Sequence, residues 1–192
     1  MANKVTNVVS GRPDAAGGVL IGSVGVEAPT TTTSSLTAFS PAGYIHEDGV
    51  TEATELSTEK IKAWGGDTVK IVRTEHGVTY QFTFIEALNT TVLQTIYGDD
   101  NVDVTPATAS TGTLHQIRIT GAELKPKSYV FEIKDGDARI RIFVPHGVIS
   151  ELGDVTYADA EVIGYDVTIE CLPDAAGVKA YKLLDDGVKT AA

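Results

Sequence analysis

The sequence predicts a mainly β fold, a sandwich or open barrel carrying one flanking α-helix. Three observations predict it. From Thr68 onward apolar residues recur with period 2: Val78, Tyr80, Phe82 and Phe84 alternate with Thr79, Gln81 and Thr83, the pattern of a half-buried strand. The turn dipeptide Asp135-Gly136 separates two further alternating runs, Lys127–Lys134 and Asp137–Val144, as in a hairpin. Helical spacing is confined to Leu88, Val92, Leu93, Ile96 and Tyr97, with Gly98 placed to end the helix.

The elements follow in chain order. Residues 1–43 read as an extended N-terminal arm, with a turn at Asp14–Gly18, a Gly-loosened edge strand at Val19–Val26 and a linker at Pro29–Ser35. Gly22 and Gly25 do not make a phosphate loop, because GSVG lacks a third glycine, a Lys-Ser/Thr pair and a following helix. Residues 44–67 are polar and acidic and read as a long loop that holds the chain's one tryptophan, Trp64. Lys70–Glu86 reads as two strands closed by a tight turn, leading into a helix over about 86–97. Asp99–Gly112 is turn-rich and Leu114–Ile119 is a strand. In the hairpin around Gly136, Glu132 and Lys134 lie on one strand and Arg139 and Arg141 on the other, placed for cross-strand pairing. A final strand, Glu161–Leu172, turns Ile163, Tyr165, Val167, Ile169 and Cys171 to one face, and a polar tail fills 173–192. A chain of 192 residues suits one domain, with the sandwich over 68–172.

Charge is unevenly distributed. Residues 60–141 hold ten basic and ten acidic side chains, residues 1–59 two and seven, and residues 142–192 three and nine, so the net charge of -11 belongs to the two ends. Such a surface opposes binding to phosphate, which depends on Lys and Arg. A single cysteine, Cys171, precludes an intrachain disulfide and fits synthesis in a reducing cytoplasm. No apolar run is long enough for a membrane span and no secretory leader is visible.

Signatures of chemistry are missing. His46, His76, His115 and His146 are scattered without metal-ligand spacing. Asp99, Asn101 and Asp103 start like a calcium loop, but Val104 stands where glycine is needed and Ser110 where a bidentate Glu is needed. Cys171 sits on the inward face of its strand, as a buried inert thiol does, and no serine lies in a GxSxG elbow. The expectation is therefore no catalytic centre, no metal and no cofactor. A small hydrolase or isomerase on a β-sandwich is the residual enzymatic alternative, with His76, His115 or His146 as its candidates.

Several segments carry a resemblance. Gly43-Tyr44-Ile45, Glu47-Asp48-Gly49-Val50-Thr51 and Ile61-Lys62-Ala63-Trp64-Gly65-Gly66-Asp67-Thr68-Val69, followed by Thr79-Tyr80-Gln81-Phe82-Thr83, Ile85-Glu86-Ala87-Leu88-Asn89 and Tyr97-Gly98-Asp99-Asp100-Asn101-Val102, resemble the major tail tube proteins of long-tailed, siphovirus-type bacteriophages of actinobacteria. The likeness is strongest over roughly residues 40–103 and continues weakly to Ala180–Gly187, with His46 standing where a serine-like residue is expected. It implies one tail-tube domain similar to type VI secretion tubes, joined edge to edge into hexameric rings that stack helically around a β-barrel lumen. That lumen would conduct DNA from capsid to host cell in the virion tail, through transient non-specific passage. The implied partners are other copies of the chain, a tape measure protein, a tail terminator and distal tail or baseplate proteins. Another tail or neck ring component, or a virion adhesion module, is the alternative.

Under this resemblance, 44–67 becomes the inter-ring stacking loop, with Tyr44, Glu47, Asp48, Gly49, Val50, Thr51, Trp64, Gly65 and Gly66 as candidate contacts between subunits. Lys70, Glu132, Lys134, Arg139 and Arg141 are the candidate lumen-facing residues.

Overall fold

Ten strands and one α-helix, all β connections antiparallel, describe the computed structural model over residues 3–14 and 18–189. The strands are β1 (Val19–Ser23), β2 (Phe39–Pro41), β3 (Thr51–Lys62) and β4 (Thr68–Phe84). After α1 (Thr90–Tyr97) come β5 (Val102–Thr105), β6 (Leu114–Ile117), β7 (Lys127–Asp135), β8 (Ala138–Leu152), β9 (Tyr165–Leu172) and β10 (Tyr181–Asp185). Seven of them form one sheet in the order β2-β1-β7-β8-β9-β4-β3, with β10 also pairing β8, while β5 and β6 form a separate two-stranded ladder.

The long strand β8 organises the sheet. Along one edge it pairs β7; along the other, Arg139–Phe143 pairs β10 and His146–Leu152 pairs β9. Pro145 sits at the change of partner, where its missing N–H costs no ladder bond, and its carbonyl accepts from the buried Ser128 hydroxyl at 2.8 Å. Register shifts between Lys127 and Tyr129 and between Ile149 and Glu151 bend the strands on either side. The sheet thereby folds over itself, and β4 meets β7 across the core: Tyr80 stacks on Phe131 at 4.9 Å and Phe82 meets the same ring edge-on at 5.5 Å.

Alternation accounts for this core. Tyr80, Phe82 and Phe84 of β4 and Tyr165, Val167, Ile169 and Cys171 of β9 are buried. They face Tyr129 and Phe131 of β7, Val144 of β8 and the buried side of α1, Val92, Leu93 and Ile96. The helix is defined at both ends. The Asn89 side chain accepts from the Thr91 N–H at 2.9 Å, and Gly98, at φ +93°, donates its N–H to the Gln94 carbonyl. A smaller cluster, Leu20, Phe39, Val130 and Phe143, lies on the other side of β1 and β7 under Val26, Ala28 and Leu36.

Several expectations are corrected. Lys70–Glu86 is not two strands: β4 runs unbroken through His76-Gly77, and the turn lies at 63–67, where Gly65 and Gly66 take φ +116° and +99°. The partner of β4 is β3, inside the segment read as a loop, because a strand with no buried face leaves no hydrophobic alternation to detect. β1 is not an edge strand, since β2, too short to leave a pattern, covers its outer side. The arm and tail are likewise partly structured, by β1 and β2 and by β10. The helix starts at Thr90, which leaves Leu88 outside it and exposed, and the final strand starts at Tyr165. The turn expected at Asp14–Gly18 falls largely on residues 15–17, outside the described residues.

Candidate assembly surfaces

The hairpin of β3 and β4 is the part of the molecule the core does not explain. Only Thr79–Phe84 of β4 pairs β9, so Thr68–Val78 and nearly all of β3 leave the body as a two-stranded ribbon. Every residue from Thr51 to His76 is exposed. Along that length β3 has no partner on its outer edge, and β4 has none opposite β3, among the described residues. At about 3.4 Å per residue, β3 alone spans about 40 Å. Two-stranded ribbons are at best marginally stable in water, and unpaired edges invite another chain.

The two faces of the ribbon differ in sign. Directly paired residues share a face, so the face continuous with the core carries Leu56 with His76, Thr58 with Arg73, Lys60 with Ile71, and Lys62 with Thr68. The opposite face carries Glu55 with Gly77, Ser57 with Glu75, Glu59 with Val72, and Ile61 with Lys70. One face is basic along its outer half; the other is acidic.

The acidic face continues over the body. Its rows are Ala53, Thr79, Glu170 and Val148, then Thr51, Gln81, Thr168 and Glu151, then Thr83 and Asp166. This four-stranded face of β3, β4, β9 and the end of β8 is half-exposed to exposed, with the 153–164 segment lying against its end at Thr83 and Asp166. It presents polar groups and carboxylates, against which stand Lys70 and Lys179, the latter 3.9 Å from Glu170. At its inner end the ribbon is fastened to the body: the Tyr80 hydroxyl donates to Glu52 Oε2 at 3.1 Å, and the Lys182 ammonium pairs with the same carboxylate at 2.6 Å. Burial first, then the Glu52 charge, pushes the Tyr80 hydroxyl far above the ordinary tyrosine value.

The structure divides the nine candidate contact residues between the ends of the ribbon. Trp64, Gly65 and Gly66 form its tip, and the indole is fully exposed. Tyr44, Glu47, Asp48, Gly49, Val50 and Thr51 lie at the other end, where Tyr44 is exposed and Val50 packs against the core. There Gly43, at φ +76°, sits where a Cβ would overlap the Glu86 carboxylate, which itself accepts from the Tyr44 N–H at 2.9 Å.

The lumen candidates are divided too. Lys70 lies on the acidic face. Arg141 is corrected: it is 4 % exposed, its Nε donates to Glu132 Oε1 at 2.6 Å, and its Nη1 donates to the carbonyls of Thr31 and Ser34. Enclosed by that loop, Arg141 pairs with Glu132 within the subunit rather than facing solvent. Arg139 pairs with Asp14 at 3.1 Å, and Lys134, opposite Arg139 in register, is half-buried. Sequence reasoning missed Glu55, Glu59, Glu75, Asp166 and Glu170. Their signal was the polar half of each alternation, which was passed over in favour of the apolar half.

The Thr90 hydroxyl lies 2.9 Å from His115 Nε2, at the start of α1 and away from the ribbon. Burial pushes the Cys171 thiol up to about 12, and no cluster of three or more metal-ligating side chains occurs among the described residues. A comparison with curated proteins gave no match. Among solved structures, the chain is similar at 7% identity and a TM-score of 0.46 to the anti-feeding prophage cap, a tube-terminating cap, covering 96% of this chain and 100% of that one. The profile of the family described as "Phage tail tube protein" matches residues 1–192, and the chain belongs to that family.

Proposed function

We propose that this chain is the repeating subunit of a long-tailed phage's tail tube, of the siphovirus type found on actinobacterial hosts, joined into hexameric rings that stack around a DNA-conducting lumen. The observation that carries this reading is the β3–β4 ribbon, whose two edges and two faces are unsatisfied within one subunit. Edge pairing between copies supplies its missing backbone partners, and a head-to-tail contact that does not close on itself extends rings into a tube. The largely exposed face of β3, β4, β9 and β8 is the lining best suited to DNA. Glu55, Glu59, Glu75, Glu151, Asp166 and Glu170 give it an excess of negative charge, so a moving phosphate backbone finds no site at which counterion release would hold it. Lys70, at the ribbon's outer end, and Lys179, beside Glu170, are the cations within that lining. The same reading supplies the tape measure, terminator and distal tail proteins as axial neighbours and the virion as the location. Among the described residues no helix is long and apolar enough to cross a membrane.

Negative-stain microscopy of concentrated protein tests the proposal. Tubes with a continuous axial channel are the expected result. Single rings without axial growth would move the protein to a neck or terminator position, and a strict monomer under all assembly conditions would overturn the proposal.

A further inference from the structure

We propose that the C-terminal segment 179–185 is a clamp that sets the direction of the β3–β4 ribbon in the free subunit, with Lys179 and Lys182 as its positioning residues. The clamp acts within one copy, whatever the ribbon meets in an assembly.

A weak point is built into the root of the ribbon. The pairing of β4 with β9 ends at Thr79 and Glu170, and Gly77 stands just beyond. A glycine inside a strand gives it no side chain to pack. Close packing does not demand one here, because a Cβ would meet the Glu55 Cβ at 3.5 Å, an ordinary contact. The ladder with β3 is interrupted at the same place: Ser57 pairs Glu75, but Thr58 pairs Arg73, which leaves a bulge. A two-stranded ribbon with a glycine and a bulge just outside the sheet is least stiff at that point.

The C-terminal segment reaches that point from elsewhere in the sheet, since β10 pairs with β8 and with neither strand of the ribbon. The Lys182 ammonium, on β10, contacts both carboxylate oxygens of Glu52, at 2.7 and 2.6 Å. Glu52 lies opposite Tyr80 and accepts from its hydroxyl too, so one carboxylate joins β3 to the core ring of β4 and to β10. Lys179 acts on the other strand of the ribbon. Its ammonium donates to the His76 carbonyl, next to Gly77, and lies 3.9 Å from Glu170, where the pairing with β9 ends. The clamp is itself anchored. Tyr181, between the two lysines, donates to Asp174 at 2.6 Å and stacks on Phe143 of β8. Asp174 also accepts from the Ala176 and Val178 N–H groups at 2.9 Å, which fixes the turn before Lys179. Single part-exposed ion pairs add little stability, so two lysines aimed at one weak point from an anchored strand act through direction. A ribbon already held in one direction loses less freedom when a partner pairs it.

Spin-label distances in the free, full-length subunit test the clamp. Labels at Glu59→Cys on β3 and Glu151→Cys on β8 lie about 30 Å apart by strand geometry. The native Cys171 is buried and stays unlabelled. With both lysines present the distance distribution should be narrow. Lys179→Met with Lys182→Met should keep the wild-type circular dichroism spectrum and at least double the width of that distribution. Lys182→Arg, which keeps the charge opposite Glu52, should leave it narrow. An unchanged width in the methionine variant, or equal broadening by Lys182→Arg, overturns the proposal. Zero-length carbodiimide cross-linking of the unlabelled wild-type subunit gives a reading without mutation: Lys182 should link to Glu52 within one copy, and absence of that link overturns the proposal equally. All of these readings are taken on free subunits, so they decide the clamp separately from whether tubes form.

Discussion

The body and the ribbon of this molecule are made of the same strand, yet they obey different accounts. Between Tyr80 and Phe84, β4 buries every second side chain against β7, β9 and α1. Between Thr68 and His76 the same strand buries nothing. The body's sequence is legible because its own chain supplies the apolar partners. The ribbon's is not, because nothing in its own subunit covers it among the described residues. The difference teaches that a regular strand can run well beyond what its own subunit buries, and the proposed assembly would supply the missing support.

The largest effect that would sharpen this comparison is a truncation in the body. Phe131 stacks on Tyr80 and meets Phe82, so Phe131→Ala should lower unfolding stability by about 3–5 kcal/mol in denaturant titration. A cost below about 1 kcal/mol would show that the aromatic core does not hold the subunit together.

Alkaline pH should act on the body next. Burial raises the Tyr165 hydroxyl to about 12 and the Tyr80 and Tyr129 hydroxyls further above their ordinary value. Their folded-state values exceed the unfolded ones, so their contribution is complete below the ordinary tyrosine value of about 10 and is lost as pH rises through and beyond it. The expected result is a denaturation midpoint that falls steadily above about pH 10. Tyrosinate absorbance from the buried Tyr80, Tyr129 and Tyr165 rings should appear only with unfolding.

The smallest effect on stability belongs to the ribbon tip. Trp64→Ala should change unfolding of the free subunit by no more than about 0.5 kcal/mol, because the indole touches no core. The same substitution should reduce tube yield severely. A large loss of stability without loss of assembly would reverse the roles assigned to body and ribbon.

How much was legible follows from the same contrast. Period-2 alternation placed the hairpin of β7 and β8, the β9 strand and the buried half of β4, and the Leu93–Ile96 stripe with Gly98 placed α1. The absence of a buried face hid β3, although the run Thr51–Lys62, with Thr at three positions and followed by Trp-Gly-Gly-Asp and then Thr-Val-Lys-Ile-Val, carried a hairpin signal. Arg141 was misplaced because alternation assigns a residue to a face and says nothing of what covers that face. Here the Thr31–Ser34 loop covers it, through hydrogen bonds over more than a hundred residues of sequence that no local pattern announces. The polar run around Trp64 made it a candidate contact, and the structure leaves its indole in solvent at the ribbon tip.

Hydrogen–deuterium exchange across the ribbon tests the central claim most directly. Peptides covering 54–78 should exchange rapidly in the free subunit, while those covering Tyr129–Val144 stay protected. On assembly into tubes, the 54–78 peptides should become protected by at least tenfold. Equal exchange of these peptides in the free and assembled states would show that neighbouring copies do not complete the ribbon, and would contradict the account.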